Sequence, residues 1–120
     1  VLTTPNVARL ENVARLLAGA NIYDPYSGYG PYGRHNREYN RHELFLLLEH
    51  LGFELENGFT ADVHGNAADH FCPVREYAHL LKFREHDLGQ YIFMRARNAR
   101  PKKAKRPRFL FRSYPAIELE

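Results

Sequence analysis

The stretch GYGPYGRHNREYN, residues 28 to 40, restricts the fold of this chain more than any other. Its glycines and its proline deny the run a regular helix or a central strand, so it must be a loop. From Ala20 to Tyr39 no hydrophobic periodicity, strand-like or helical, is sustained. A connection of that length inside a compact domain is a lid, a binding segment or a disordered insertion. Regular structure is therefore expected only before Ala20 and after Tyr39.

Ahead of the loop, VLTT has the β-branched, apolar look of a strand already under way, which suggests the later part of a longer fold. Thr4-Pro5-Asn6 breaks that pattern, and Asn6 is a good N-cap. Val7, Leu10, Val13, Ala14 and Leu17 recur at helical spacing, Glu11 stands four residues before Arg15, and Gly19 supplies a stop; these predict a helix over 7 to 18. Beyond the loop, Asn40 and Glu43 make a relative of the capping box. Leu44, Leu47, Leu48 and Leu51 form an apolar stripe that ends at Gly52.

Phe53 to Glu56 alternates as a half-exposed strand does. The connection from Asn57 to Gly89 is expected to hold a helix starting near Pro73, with Val74, Tyr77, Leu80 and Leu81 on one face. QYIFMRA, 90 to 96, is apolar enough to suggest a strand covered on both faces. A basic segment, NARPKKAKRP, follows, and FLFRSYP closes the chain as a piece expected to fold back on the body. The order of strand, helix, loop, helix, strand, connection and strand is an α/β pattern, with three strands making a small and incomplete sheet.

The 120 residues and 44% hydrophobic content suit one domain with one core. The longest apolar run, LFLLL at 44 to 48, is far short of the roughly 20 residues that cross a bilayer. With one cysteine, Cys72, no internal disulfide can form, and a soluble cytoplasmic protein is expected. The net charge of +3 conceals an asymmetry: nine of the 17 Lys and Arg residues, and none of the 14 acids, lie between 95 and 112. The body is acidic and the tail basic.

Several of these segments, taken in order, resemble the class I S-adenosylmethionine-dependent methyltransferases. VLTTPN is similar to the fifth strand of that family and the Pro-Asn turn after it. RHNREYNRHELFLLLEHLGFELE resembles the following loop, helix and sixth strand, and GQYIFMRARN the seventh strand, which in that fold inserts antiparallel between the fifth and sixth. The resemblance covers residues 1 to about 98. It implies the C-terminal part of a Rossmann-like methyltransferase sheet: the last parallel strand plus a terminal antiparallel strand pair, with flanking helices. Residues 20 to 39 would be the acceptor-side lid, and 99 to 120 a basic linker and tail. The glycine-rich turn and acidic residue that hold S-adenosyl-L-methionine in this family precede the matching segment, so no cofactor-binding residue is assigned. The chain alone is expected neither to bind the cofactor nor to be active.

Under the same resemblance Asn6 borders the methyl acceptor, although it can equally serve as the helix cap. His35 is the candidate catalytic base, since imidazole titrates near neutral pH. Arg34 and Arg37 would grip an acidic group on a small-molecule acceptor, and Tyr23 and Tyr39, with Tyr26, Tyr29 and Tyr32, would stack on a ring or sugar. In a purely structural reading Arg37 pairs with Glu38, Tyr39 staples onto the next helix, and His35 packs or caps. His64, His70 and Cys72, with Asp62 and Asp69, lack the tight spacing of a zinc site, and no metal is assigned. The alternative function is a non-enzymatic α/β binding module whose basic segment, 95 to 112, holds nucleic acid.

Overall fold

The computed structural model describes residues 1 to 23, 35, and 37 to 120. Arg34 and the tyrosines at 26, 29 and 32 lie outside the described residues. The elements are β1 (Leu2–Pro5), α1 (Leu10–Leu17), α2 (Arg41–His50), β2 (Phe53–Ala61), α3 (Ala68–Phe71) and β3 (Tyr91–Asn98), with short 3-10 turns between α3 and β3 and at Ala116–Glu118. The fold is α/β with a three-stranded sheet in the order β1-β3-β2. The last strand is central and runs antiparallel to both neighbours, Thr4 facing Ile92 on one side and Thr60 facing Ile92 on the other. Every strand pairing among the described residues is thus antiparallel. β1 and β2 share a direction without pairing, and among the described residues the outer edge of β1 has no strand partner.

Two apolar clusters divide the body. In one, Leu44 and Leu48 of α2 lie on Ile92 and Met94 of β3, with Tyr39, Phe45, Phe53, Leu55 and Ala96 around them. The expected leucine stripe of α2 therefore covers one face of the sheet. Among the described residues the other face has no such cover: Phe93 stacks on Phe59 with ring centroids 5.2 Å apart, and Phe59 is 49% exposed. β3 is buried on alternate residues rather than on both faces, contrary to the reading of QYIFMRA, because Tyr91 and Phe93 point away from α2. The second cluster joins Ala14 of α1 to Ala68 and Tyr77, flanked by Leu10, Val13, Phe71, Cys72, Val74 and Leu81.

Three local expectations change under tertiary contacts. First, α1 begins at Leu10, not at residue 7, and Arg9 occupies its N-cap position. Asn6 does not cap it: the Asn6 amide donates to the carbonyls of Asp87 (2.7 Å) and Gly89 (2.8 Å), and its Oδ1 accepts from Ala8 N (3.1 Å). Leu17, expected in the apolar stripe, is 58% exposed because α3 packs against the earlier turns of the helix. Second, β2 continues to Ala61 rather than stopping at Glu56. A bulge between Leu55 and Asn57 absorbs the irregularity, and Gly58 lies flat against the Met94 side chain.

Third, the helix anticipated near Pro73 is replaced by α3 and two 3-10 turns, Val74–Glu76 and Ala78–Leu81. Tyr77 separates the two turns. It is buried against Ala14 and Ala68 and donates its hydroxyl to Cys72 O (3.2 Å), so packing on α1 overrides helical periodicity.

The C-terminal segment folds back as expected. Gly52, at φ +86° after α2, accepts from both Ala99 N (3.1 Å) and Arg100 N (2.9 Å) through its carbonyl oxygen. Further on, Arg106 is fastened to the chain end by paired backbone bonds with Glu118 and Glu120. No helix among the described residues is long and apolar enough to cross a membrane.

Candidate functional site

Tyr39 lies beside the C-terminal end of β1. It forms an isolated parallel bridge with Asn6, and Val7 N donates to Tyr39 O (2.9 Å). This contact sets Tyr39 against the turn between β1 and α1. Asn40 then starts α2, its side chain accepting from Glu43 N (2.8 Å), which is the cap that the sequence implies.

A cavity of about 540 Å³ opens at this end of α2, lined by Val7, Ile22, Tyr23, His35, Arg37, Glu38, Asn40 and Glu43. A second, of about 280 Å³, lies beside it among Pro5, Arg9, Glu11, His35, Glu38, His64, Gln90 and Tyr91. His35 and Glu38 line both and so stand between them. Glu38 is held there by Arg9, whose Nη1 donates to Glu38 Oε2 (2.8 Å) and also to Asn6 O (3.1 Å). Both partners of this ion pair are largely buried, so it is a stronger constraint than a surface pair.

The candidate residues fare differently. His35 is exposed and faces both cavities, so its imidazole is open to a bound molecule. Tyr23 stands on the rim, 81% exposed. Arg37 donates to Glu43 Oε1 (2.6 Å) and lies over the Tyr39 ring at 5.4 Å, so its charge is already met. The sequence reading offered Glu38 as its structural partner, but Glu38 pairs with Arg9 instead. Tyr39 packs onto the α2 core as a staple, and Asn6, though at the expected end of β1, is fully buried with its polar atoms committed to the backbone. Neither Asn6 nor Tyr39 is among the residues lining the larger cavity, whereas Glu38 and Glu43 were named from the sequence only for local structure and Arg9 was not named. The Arg9–Glu38 contact spans 29 residues, and no short-range pattern encodes it.

Among the described residues no three potential ligands gather as a metal site. His64 meets the edge of Tyr91 (6.4 Å) and His70 that of Phe71 (5.3 Å). Of the nine basic residues from 95 to 112, Arg95 and Arg97 face Glu56 and Glu54 across the sheet, Arg106 faces Glu118, and Lys103 lies 3.8 Å from Glu120.

Near the smaller cavity, the carboxyl of Glu11 is held below the ordinary carboxylate range, first by its hydrogen bonds from Arg15 (2.8 and 3.0 Å). Burial pushes the Tyr77 hydroxyl in the opposite direction, upward. Comparison of the chain with protein-family models, curated proteins and solved structures gives no match.

Proposed function

We propose that this chain is the acceptor-side part of a class I S-adenosylmethionine-dependent methyltransferase, with the cavity beside α2 receiving the molecule to be methylated. The observation that carries the reading is the strand order. The chain's last strand lies between the other two and antiparallel to both, the arrangement that the resemblance implies for strands five, seven and six. A cavity beyond the C-terminal end of β1 is also where open α/β sheets receive ligands.

In this reading His35 takes the proton that a hydroxyl or amine acceptor loses as the methyl group arrives, and Tyr23 closes over the acceptor from the rim. Arg37, neutralised by Glu43, shapes the wall rather than binding an anion. The acceptor in this reading is a small molecule. The methyl donor itself has no cradle among the described residues. Gly65 is the single described glycine between a strand and a following helix, and nothing lies near enough to demand its lack of a Cβ. No step is therefore assigned to the donor here.

The alternative, a nucleic-acid-binding module, draws less support, because the two arginines on β3 are spent on Glu54 and Glu56. The test is calorimetric titration of S-adenosylmethionine into the product of the complete reading frame that contains this chain, followed by a labelled-methyl assay. Binding is expected for that product and not for residues 1 to 120 alone. Absence of binding by the complete product overturns the reading, and a loss of less than threefold in turnover for His35→Ala removes that residue from catalysis.

A further inference from the structure

The other end of α2 carries a cleft of different chemistry. It measures about 420 Å³ and is lined by Leu46, Glu49, His50, Gly52, Arg100, Pro101, Lys103 and Phe109. That volume falls in the range of sites for small organic molecules. One wall is apolar, from Leu46, Pro101 and the exposed ring of Phe109; the other brings Arg100 and Lys103 toward His50.

The walls are fixed by the chain's own bonds. Gly52 anchors Arg100 from below, and a Cβ at Gly52 would strike the Arg100 carbonyl oxygen. His50 ties the far side, its Nε2 donating to Lys105 O (2.6 Å) while Nδ1 lies 3.3 Å from Glu120. Basic residues are drawn to this place because the last carbonyls of α2 present partial negative charge to it.

We propose that this cleft is a binding site for a small planar organic anion, a phosphate or carboxylate joined to an aromatic ring. Arg100 and Lys103 take the anionic group, and Phe109 covers the ring. Among the described residues Arg100 has no acidic partner at ion-pair distance, and the contact of Lys103 with Glu120 is long and solvent-exposed, so an incoming anion displaces little. Glu49 is the acid in the lining, and with Glu120 it sets a charge that disfavours a dianion bound without apolar contact. This site is independent of the methyltransferase reading, since it lies across the length of α2 from His35.

The experiment is titration of the chain with 1-naphthyl phosphate, inorganic phosphate and 1-naphthol separately, monitored by backbone amide NMR shifts. Naphthyl phosphate is expected to shift Gly52, Arg100, Lys103 and Phe109 and to bind at least tenfold more tightly than either fragment. The double variant Arg100→Gln, Lys103→Gln should weaken it at least tenfold, Phe109→Ala about fivefold, and Glu120→Gln should strengthen it. Shifts located elsewhere, or equal binding of inorganic phosphate or of naphthol, overturn the proposal. Unchanged affinity in the folded double variant overturns it too; the map on the unmodified chain decides the matter if that variant fails to fold.

Discussion

The two ends of α2, about 15 Å apart by its ten residues, differ in whether a side-chain cap supports them. The N-terminal end has a local closure, with the Asn40 side chain accepting from Glu43 N and Arg37 pairing with Glu43, and adds distant ties, Arg41 to Asp87 (2.6 Å) and Val7 N to Tyr39 O. The C-terminal end is closed by distant ones, with Gly52 receiving Arg100 and His50 receiving Lys105 and Glu120. The difference teaches where redundancy lies. One end of the helix keeps a cap of its own beside its distant ties, while the other depends on a backbone contact that admits no side chain.

The most severe break in that comparison is at Gly52. Gly52→Ala combines a left-handed backbone with a collision against the Arg100 carbonyl, and a loss of about 3 kcal/mol is expected in urea denaturation. Gly19→Ala is the control. Gly19 has a similar φ of +77° with nothing near its missing Cβ, so about 1 kcal/mol of strain alone should appear. Equal losses at the two sites would show that the Arg100 contact contributes nothing.

A smaller effect is expected at the opposite end. Asn40→Ala should cost about 1 kcal/mol, the usual value of an N-cap. Hydrogen exchange should quicken in the first turn of α2 while residues 99 to 106 remain as protected as before. Faster exchange in that C-terminal segment would mean that the two ends are coupled through the helix rather than closed independently.

The smallest effect concerns a local pair of the same kind on α1. The Glu11 carboxyl titrates lower in the folded chain than in the unfolded one, so its contribution is present above the unfolded value and lost as pH falls through the folded value. Glu11→Gln should remove about 0.5 kcal/mol at neutral pH and flatten the acid limb of the stability profile. A variant whose profile between pH 5 and pH 3, the range about which carboxylates titrate, matches that of the parent chain would exclude this pair as a source of stability.

Much of the fold was legible because its signals are short. The leucine spacing after Asn40 announced α2, Gly19 and Gly52 marked helix ends, and FELE and QYIFMRA marked strands. What was misread depended on packing. Asn6 looks like a cap, yet in the folded chain its amide serves two carbonyls more than 80 residues away. The periodic run after Pro73 looks like a helix, yet Tyr77 is drawn into α1's cluster and interrupts it.

The candidate site divides the same way. His35 and Tyr23 lie at the cavity that a loop before α2 was expected to cover, while Arg37 and Asn6 turn out to be committed elsewhere. Arg9 and Glu38 enter only through their mutual contact.

By itself the sequence determined the three strands, the existence of α1 and α2 and the glycines that end them, and the concentration of positive charge after residue 94, because each rests on residues within about a turn of one another. Tertiary structure alone decided that Asn6 serves the backbone of a distant turn, that one sheet face is left open among the described residues, and that the basic segment closes a cleft on α2. The reason is physical: hydrogen bonds and ion pairs between distant segments depend on where the apolar faces bring the backbone, and that placement is a property of the whole packed chain.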